Sequence, residues 1–246
     1  MYDRDAFLRW LDDQELPRTP EYDCPYLEGR QARQYGFAAE ALPGELYDAL
    51  LDRGFRRSGQ VFYAMECQGC RRCVPLRVPT ATFRPSKSQR RVLKRNQDVT
   101  VDYRAPEFSE EAFAVYRRYL AHQHPGSPQS SERDEFVDAF YRPVVDSLEA
   151  RYFVGDRLIG VSLLDACDRS WSSVYHFFDP DEGRRSVGVF SALAEIEAAR
   201  RRGVPHYHLG FWIEGAATME YKADYGPHEV LERGRWAPRP RGRDGG

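Results

Sequence analysis

Between residues 150 and 212 the apolar pattern changes from strand to helix and back, and few folds accommodate that order. Ala150-Arg-Tyr-Phe-Val154 and Arg157-Leu-Ile-Gly-Val-Ser-Leu-Leu-Asp165 flank Gly155-Asp156, a pairing that predicts a β-hairpin with a two-residue turn. Trp171-Ser-Ser-Val-Tyr-His-Phe-Phe178 predicts a third strand, and Asp179-Pro-Asp-Glu-Gly183 a turn. Ser186 then caps a helix in which Val189, Phe190, Leu193, Ile196 and Ala199 face inward, and Gly203 ends it. His206-Tyr-His-Leu-Gly-Phe-Trp212 follows as a fourth strand. Hairpin, strand, helix, strand makes an α/β layer in which a helix N-terminus meets the C-terminal end of a strand, a usual place for a ligand.

The first 80 residues read differently. One helix is clear, with Leu42, Leu46, Ala49 and Leu50 on its apolar stripe, Pro43 near its start and Gly54 just past its end. Short strands are expected near residues 61–63 and 74–78. Cys67, Cys70 and Cys73 are separated by two residues each, and Cys24 is a fourth thiol that folding could bring near. Four thiolates suit zinc or an iron–sulfur cluster; buried thiols packing a small module are the plainer alternative. A basic helix is expected from Ser86 to about Asn96, where Lys87, Arg90, Arg91 and Lys94 share one face by three- and four-residue spacing with no acid between them. Such a stripe can follow nucleic-acid phosphates, although a solvated helix face has the same pattern. Ser109 is expected to cap a helix carrying Phe113, Tyr116 and Leu120. A further helix is expected over residues 134–148, broken or kinked at Pro143.

Composition limits the function classes. The chain has 246 residues and a net charge of −2, so attraction to a polyanion has to come from local patches rather than from the whole molecule. It has no apolar run long enough to span a bilayer and no secretory signal, which predicts a cytosolic protein with no membrane partner. In that compartment the five cysteines are thiols or ligands rather than disulfides. The Pro/Gly/Arg-rich end, residues 237–246, is expected to be disordered.

Several segments together resemble the bacterial aspartate/glutamate leucyltransferases, relatives of the arginyl-tRNA–protein transferases of the N-degron pathway. The segments are Cys24-Pro-Tyr-Leu-Glu-Gly-Arg-Gln-Ala-Arg33, Gly54-Phe-Arg-Arg-Ser-Gly59, the cysteine triplet and Phe83-Arg-Pro-Ser-Lys-Ser-Gln-Arg-Arg91. Tyr175-His-Phe-Phe-Asp-Pro180, Arg185-Ser-Val-Gly188, Leu209-Gly-Phe-Trp-Ile213 and Met219-Glu-Tyr-Lys-Ala223 complete the set, in the family's order and spacing. The chain departs from the family pattern at Glu28, at Gln34-Tyr-Gly36 and around residues 123–131. The resemblance implies an α+β protein: a smaller cysteine-containing N-terminal module over residues 1–80, sharing part of its sheet with a GNAT-like C-terminal α/β domain over 81–236. It also implies transfer of leucine from leucyl-tRNA to the α-amine of proteins beginning with Asp or Glu, which marks them for degradation. Arginine is the competing donor amino acid.

Within that reaction, aminolysis of an activated ester needs positioning more than a strong nucleophile. Asp179 is the candidate to orient or deprotonate the amine, and Tyr175 to hydrogen-bond the ester or relay a proton to the leaving ribose hydroxyl. Lys222 and Arg77 could pair with the acceptor's acidic side chain. Lys87, Arg90, Arg91 and Lys94, with Arg185, Ser186 and Gly188 at a helix start, could bind the donor tRNA. No cofactor is required for the chemistry. An acyl-CoA-dependent N-acyltransferase is disfavoured by the bulk of Phe190 in the helix-start turn and by the basic stripe. A metal-stabilised RNA-binding module without catalysis would leave the motifs of residues 175–223 without a task.

Overall fold

The computed structural model describes residues 3–123, 132–142 and 144–239. Near the N-terminus Asp3 caps helix α1 (Arg4–Asp12) by accepting from the Ala6 amide at 2.9 Å. This short helix was not expected from the sequence. Strands β1 (Tyr22–Asp23) and β2 (Gln31–Ala32) form a small ribbon, and β3 (Gln34–Ala38) follows. The expected Leu42–Leu50 stripe belongs to α2 (Gly44–Asp52), and Gly54, at φ +83°, makes the turn after it. Strands β4 (Arg56–Ser58) and β5 (Val61–Met65) complete a three-stranded sheet in the order β3-β5-β4. Gly36 allows that sheet to close, because a Cβ there would lie 2.0 Å from the Phe62 carbonyl oxygen. Tyr47, Leu50, Leu51, Phe55 and Phe62 form the core of this lobe.

Strand β6 (Val74–Pro79) leaves the lobe and enters the large sheet. Next come α3 (Lys87–Arg95), β7 (Val99–Arg104), α4 (Glu110–Gln123) and α5 (Arg133–Phe140). The hairpin of β8 (Ser147–Val154) and β9 (Arg157–Ala166) turns at Gly155, at φ +59°. Then β10 (Ser170–Phe178) leads through a 3-10 turn at Pro180–Arg185 into α6 (Val187–Arg201), and the chain returns as β11 (His206–Trp212). After α7 (Ala217–Glu220), β12 (His228–Glu232) and β13 (Arg235–Arg239) make a terminal hairpin. The large sheet has eight strands in the order β13-β12-β6-β11-β10-β9-β8-β7. Only β10 and β11 pair in parallel; the other neighbours are antiparallel. Successive residues of β9 serve opposite faces: Leu163 packs with Val115, Tyr116 and Phe136 of α4 and α5, while Leu164 packs with Leu193 and Ile196 of α6. The fold is therefore mixed α/β around a large mixed sheet.

Two expectations need correction. The helix expected over 134–148 stops at Phe140, and Leu148 lies in β8, where pairing with β7 and β9 outweighs local helical preference; the kink expected at Pro143 lies outside the described residues. Arg235–Arg239, partly assigned to a disordered tail, is an edge strand paired residue for residue with β12, and residues 240–246 lie outside the described residues. Strand β6, within residues 1–80, pairs on both sides with strands from beyond residue 205. The family departure around 123–131 also lies almost wholly outside the described residues.

The lobe is fastened to the sheet by a buried ion pair. Arg57 of β4 donates to Asp165 of β9 through Nε at 3.0 Å and Nη2 at 2.5 Å, with side-chain exposures of 6% and 0%. Removing one partner leaves the other charge buried and unpaired. Arg57→Ala is expected to lower the unfolding free energy by about 3–5 kcal/mol. Arg57→Met combined with Asp165→Leu is expected to cost clearly less, and chemical denaturation of the two variants checks both.

Candidate functional site

A cleft of about 970 Å³ opens where β10 and β11 part. The two strands pair only at Ser170–His206, Trp171–Tyr207 and Ser172–His208. Just beyond, β10 is irregular between Ser173 and Tyr175 and β11 between His208 and Gly210, and these bulges turn the strands away from each other. The diverging halves contribute Tyr175, His176, Leu209 and Gly210 to the cleft wall. The first turn of α6 contributes Ser186 and Gly188, the N-terminal lobe Arg56 and Tyr63, and the segment after β11 Met219, Tyr221 and Lys222. Sheet, helix start and lobe thus meet around one cavity, as ligand sites in α/β layers commonly do.

Glu195 of α6 reaches the cleft although it is 1% exposed. Its carboxylate accepts from the Tyr152 hydroxyl at 2.6 Å and from the Tyr207 hydroxyl. Burial raises its pKa above the usual carboxylate range, and hydrogen bonds from Ser162 and the two tyrosines oppose that shift. Ser162 Oγ lies 2.8 Å from His176 Nδ1, and burial lowers the His176 imidazole to about 4, so it is neutral at pH 7. Lys222 Nζ donates to the Phe211 carbonyl at 3.0 Å and lies 3.5 Å from Met219 Sδ. Burial, helped by the nearby Arg56 cation, lowers the Lys222 ammonium to about 7. Arg56 Nη1 donates to Ser172 Oγ at 2.8 Å, and its Nη2 donates to the Ser173 carbonyl.

The basic helix runs to the rim of this cleft. Ser86 and Gln89 form a reciprocal capping box that starts α3, and Gln89 Nε2 donates to the Asp224 carbonyl at 3.2 Å. At its other end Asn96 Nδ2 donates to the Arg185 carbonyl at 2.9 Å, and Arg95 Nη1 donates to the Arg184 carbonyl at 2.5 Å and to Ser186 Oγ at 3.4 Å. Lys87, Arg90, Arg91 and Lys94 are exposed.

Of the residues singled out in the sequence, Tyr175, Ser186, Gly188 and Lys222 meet in the cleft. Ser186 does so in a left-handed conformation, at φ 56°, and its side chain makes no capping hydrogen bond, contrary to expectation. Asp179 is absent from the lining. It is 2% exposed, caps the 3-10 turn through the Asp181 amide at 3.2 Å, and binds Arg118 at 3.0 Å and Arg157 at 3.2 Å. A carboxylate so occupied, away from the cleft wall, anchors the loop before α6 and is not positioned as a base. Arg185 is held by Asp98 at 2.8 Å and Glu182 at 2.6 Å, so its charge is largely compensated. Arg77 is likewise held away from the cleft, between Asp52 at 2.9 Å and Glu229 at 2.7 Å, with its guanidinium over the Trp236 ring. Phe190 packs inward against Tyr152, so its bulk does not obstruct the helix start.

Sequence reasoning missed Arg56 and Glu195. Arg56 lay inside a quoted motif, and strand alternation could have sent it and Arg57 to opposite faces. Glu195 lies three residues after Ala192 and four before Ala199 on the buried stripe, so it was an acid at a core position.

Cys24, Cys67, Cys70 and Cys73 line one small pocket of about 70 Å³ beside the cleft, with Tyr26, Tyr63 and Phe211 shared between the two. Burial and the three neighbouring thiols push Cys73 up to about 12. Four thiols match the soft donor set of zinc or an iron–sulfur cluster. Among the described residues, however, no group of three or more Cys, His, Asp or Glu stands at metal-holding geometry, so the arrangement fits in chemistry and not in placement.

Comparison with known proteins brings these features together. The profile described as arginine-tRNA-protein transferase, N terminus, matches residues 22–91, and its C-terminus counterpart matches residues 111–232. An aspartate/glutamate leucyltransferase from Thiobacillus denitrificans is 39% identical over 220 residues, covering 89% of this chain and 92% of its own. One from Chromobacterium violaceum is 37% identical over 226 residues, covering 91% and 93%. Among solved structures, the C-terminal domain of an Agrobacterium fabrum protein assigned as a lysylphosphatidylglycerol synthetase superimposes with a TM-score of 0.50 at 13% identity, over 89% of this chain and 81% of that one. That last likeness is one of fold alone. The matched segments contain the cysteines, the first half of the basic helix and both strands of the cleft, and by them this chain belongs to the family of the arginine-tRNA-protein transferases and aspartate/glutamate leucyltransferases.

Proposed function

We propose that this chain is an aminoacyl-tRNA–protein transferase that moves leucine from leucyl-tRNA to the α-amine of proteins beginning with Asp or Glu, marking them for degradation. The observation that carries this reading is the 37–39% identity, over about nine-tenths of both chains, to proteins named for that reaction. In the proposed arrangement a GNAT-like α/β layer receives the charged 3′ end of the tRNA between β10 and β11. Ser186 and Gly188 lie beside its terminal nucleotide, and the exposed cations of α3 follow the phosphates leading to it. The acceptor amine, with a reference pKa of about 7.7–8.0, is partly neutral at pH 7 and attacks the ester carbonyl. The tetrahedral adduct collapses with loss of the ribose oxygen, an amide forms, and the amine's proton ends on the leaving hydroxyl. Tyr175, on the cleft wall, is proposed to hydrogen-bond the ester or to pass that proton on. Lys222 is proposed to meet the acceptor.

Arginine as the donated amino acid is a second reading, favoured by the description of the matched profiles. A structural or regulatory zinc or iron–sulfur cluster at the cysteine pocket is proposed on the donor chemistry of its four thiols alone, which would have to draw closer together to hold it; no step of the transfer runs through it. A cytosolic site of action agrees with the absence, among the described residues, of any helix long and apolar enough to cross a membrane.

Incubation of the protein with tRNA charged with labelled leucine, or in parallel with labelled arginine, and with peptides beginning Asp, Glu or Ala tests the reading. Leucine on the acidic peptides alone is expected; arginine instead would change the donor, and transfer of neither would overturn the enzyme reading. Replacing Lys87, Arg90, Arg91 and Lys94 together by Ala is expected to weaken leucyl-tRNA binding at least tenfold at about 150 mM salt and to flatten the log–log salt dependence by roughly 3–4, as filter binding would reveal. Asp179→Asn is expected to lower the melting temperature, because Arg118 loses its charged partner and Arg157 one of two, while transfer per folded molecule stays within about threefold of the original.

A further inference from the structure

Among the described residues, three arginines whose side chains are largely buried have a carboxylate. Arg57 has Asp165, Arg151 has Glu149, and Arg77 has Asp52 and Glu229, with arginine side-chain exposures of 6%, 7% and 11%. Arg56 and Lys222 break this pattern. They are 8% and 9% exposed, and among the described residues neither forms an ion pair. Their own hydrogen bonds go to neutral acceptors: the Ser172 hydroxyl and the Ser173, Phe211 and Met219 atoms already named. Both converge on one point of the backbone. Gly210 has φ +87°, and a Cβ built there would lie 3.4 Å from Arg56 Nη2 and 3.5 Å from Lys222 Nζ. The bulge in β11 and the missing side chain thus leave a guanidinium and a lysine amine, the latter about half protonated near pH 7, side by side at the cleft wall. Among the described residues Glu195 forms an ion pair with neither of them, and its two oxygens accept tyrosine hydroxyls instead.

Two desolvated cations without an anion are unfavourable on their own, and folding tolerates such a pair where a ligand supplies the charge. The ligand has to be a small anion that can enter the cleft. Phosphates of a tRNA have the exposed row on α3, whose cations remain hydrated; a buried pair beside the reacting centre suits an anion on the other substrate. We infer that Arg56 and Lys222 together receive the side-chain carboxylate of the acceptor's N-terminal residue, making them the determinants of its acidic specificity. This rests on the transfer reading above and adds to it Arg56 and the pairing at Gly210. A guanidinium offers a two-pronged donor and an ammonium a rotatable one, so one site can serve carboxylates on side chains of different length. A neutral amide in the same place would leave the cations uncompensated, which is how the site would reject Asn and Gln.

The test uses the whole protein and peptides beginning with Asp, Glu, Asn or Ala. Peptide binding is measured by calorimetry without tRNA, transfer with charged tRNA, and tRNA binding separately. Arg56→Gln and Lys222→Met are each expected to raise the Kd and KM for Asp- and Glu-peptides at least tenfold, to bring Asp and Asn peptides to similar affinity, and to leave the tRNA Kd within twofold. Lys222→Arg, which keeps the charge, is expected to retain the preference for Asp over Asn and guards against misfolding as the explanation. If the neutral variants weaken tRNA binding instead, or leave the Asp-over-Asn preference intact, the inference is overturned. Acidic peptides that bind through these two residues while no amino acid is transferred would support the site and overturn the transfer reading, so the two fail separately.

Discussion

The pairing of Arg57 with Asp165 joins two cores that otherwise have separate elements. Burying two charges is expensive, and a buried ion pair is weak evidence of net stability. Its value here is registration. A charge on β4 and a charge on β9, 108 residues apart in sequence, satisfy each other in only one alignment of lobe and sheet. Strand alternation then decides what the neighbouring residue does. With Arg57 directed to Asp165, Arg56 reaches Ser172 and Ser173 of β10 at the cleft. The cleft therefore depends on the lobe being seated, since the lobe supplies part of its wall.

The cleft itself arises from a conflict inside the sheet. A parallel pair made through a crossover helix sits among antiparallel neighbours, and each of its strands carries a bulge that breaks the pairing after three residues. Backbone groups released there do not stay idle. The Ser173 and Phe211 carbonyls become acceptors for the two cations. Irregularity in the ladder and polarity in the cavity have one cause, and Gly210 is the residue that permits both.

Much of this was legible in the sequence. The β8–β9 hairpin, β10, α6 and β11 were readable because turn residues and apolar periods agree over that stretch, and α3 was read from Ser86 onward, though the part of Gln89 in its capping box was not. Tertiary pairing decided the rest. Leu148 reads as the end of a helix and sits in a strand because β7 and β9 lie on either side. Charge was the least legible property. Arg77, Arg185 and Asp179 are as polar in the sequence as Lys222, yet each has a partner distant along the chain; only the Glu182–Arg185 pair, three residues apart, could be read from spacing.

The position of β6 has a consequence for how the chain is made. Residues 74–79 are synthesised early, but both strands that flank them, β11 and β12, lie after residue 205. During translation β6 stays an unpaired strand, with Leu76 and Val78 exposed, until more than four-fifths of the protein has emerged. Closing that long loop makes assembly of the sheet a late, non-local event. The growing chain must keep an apolar strand from finding other partners in the interval, and the residues best placed to do so are the charged neighbours at its start, Arg71 and Arg72, and Arg77 within it.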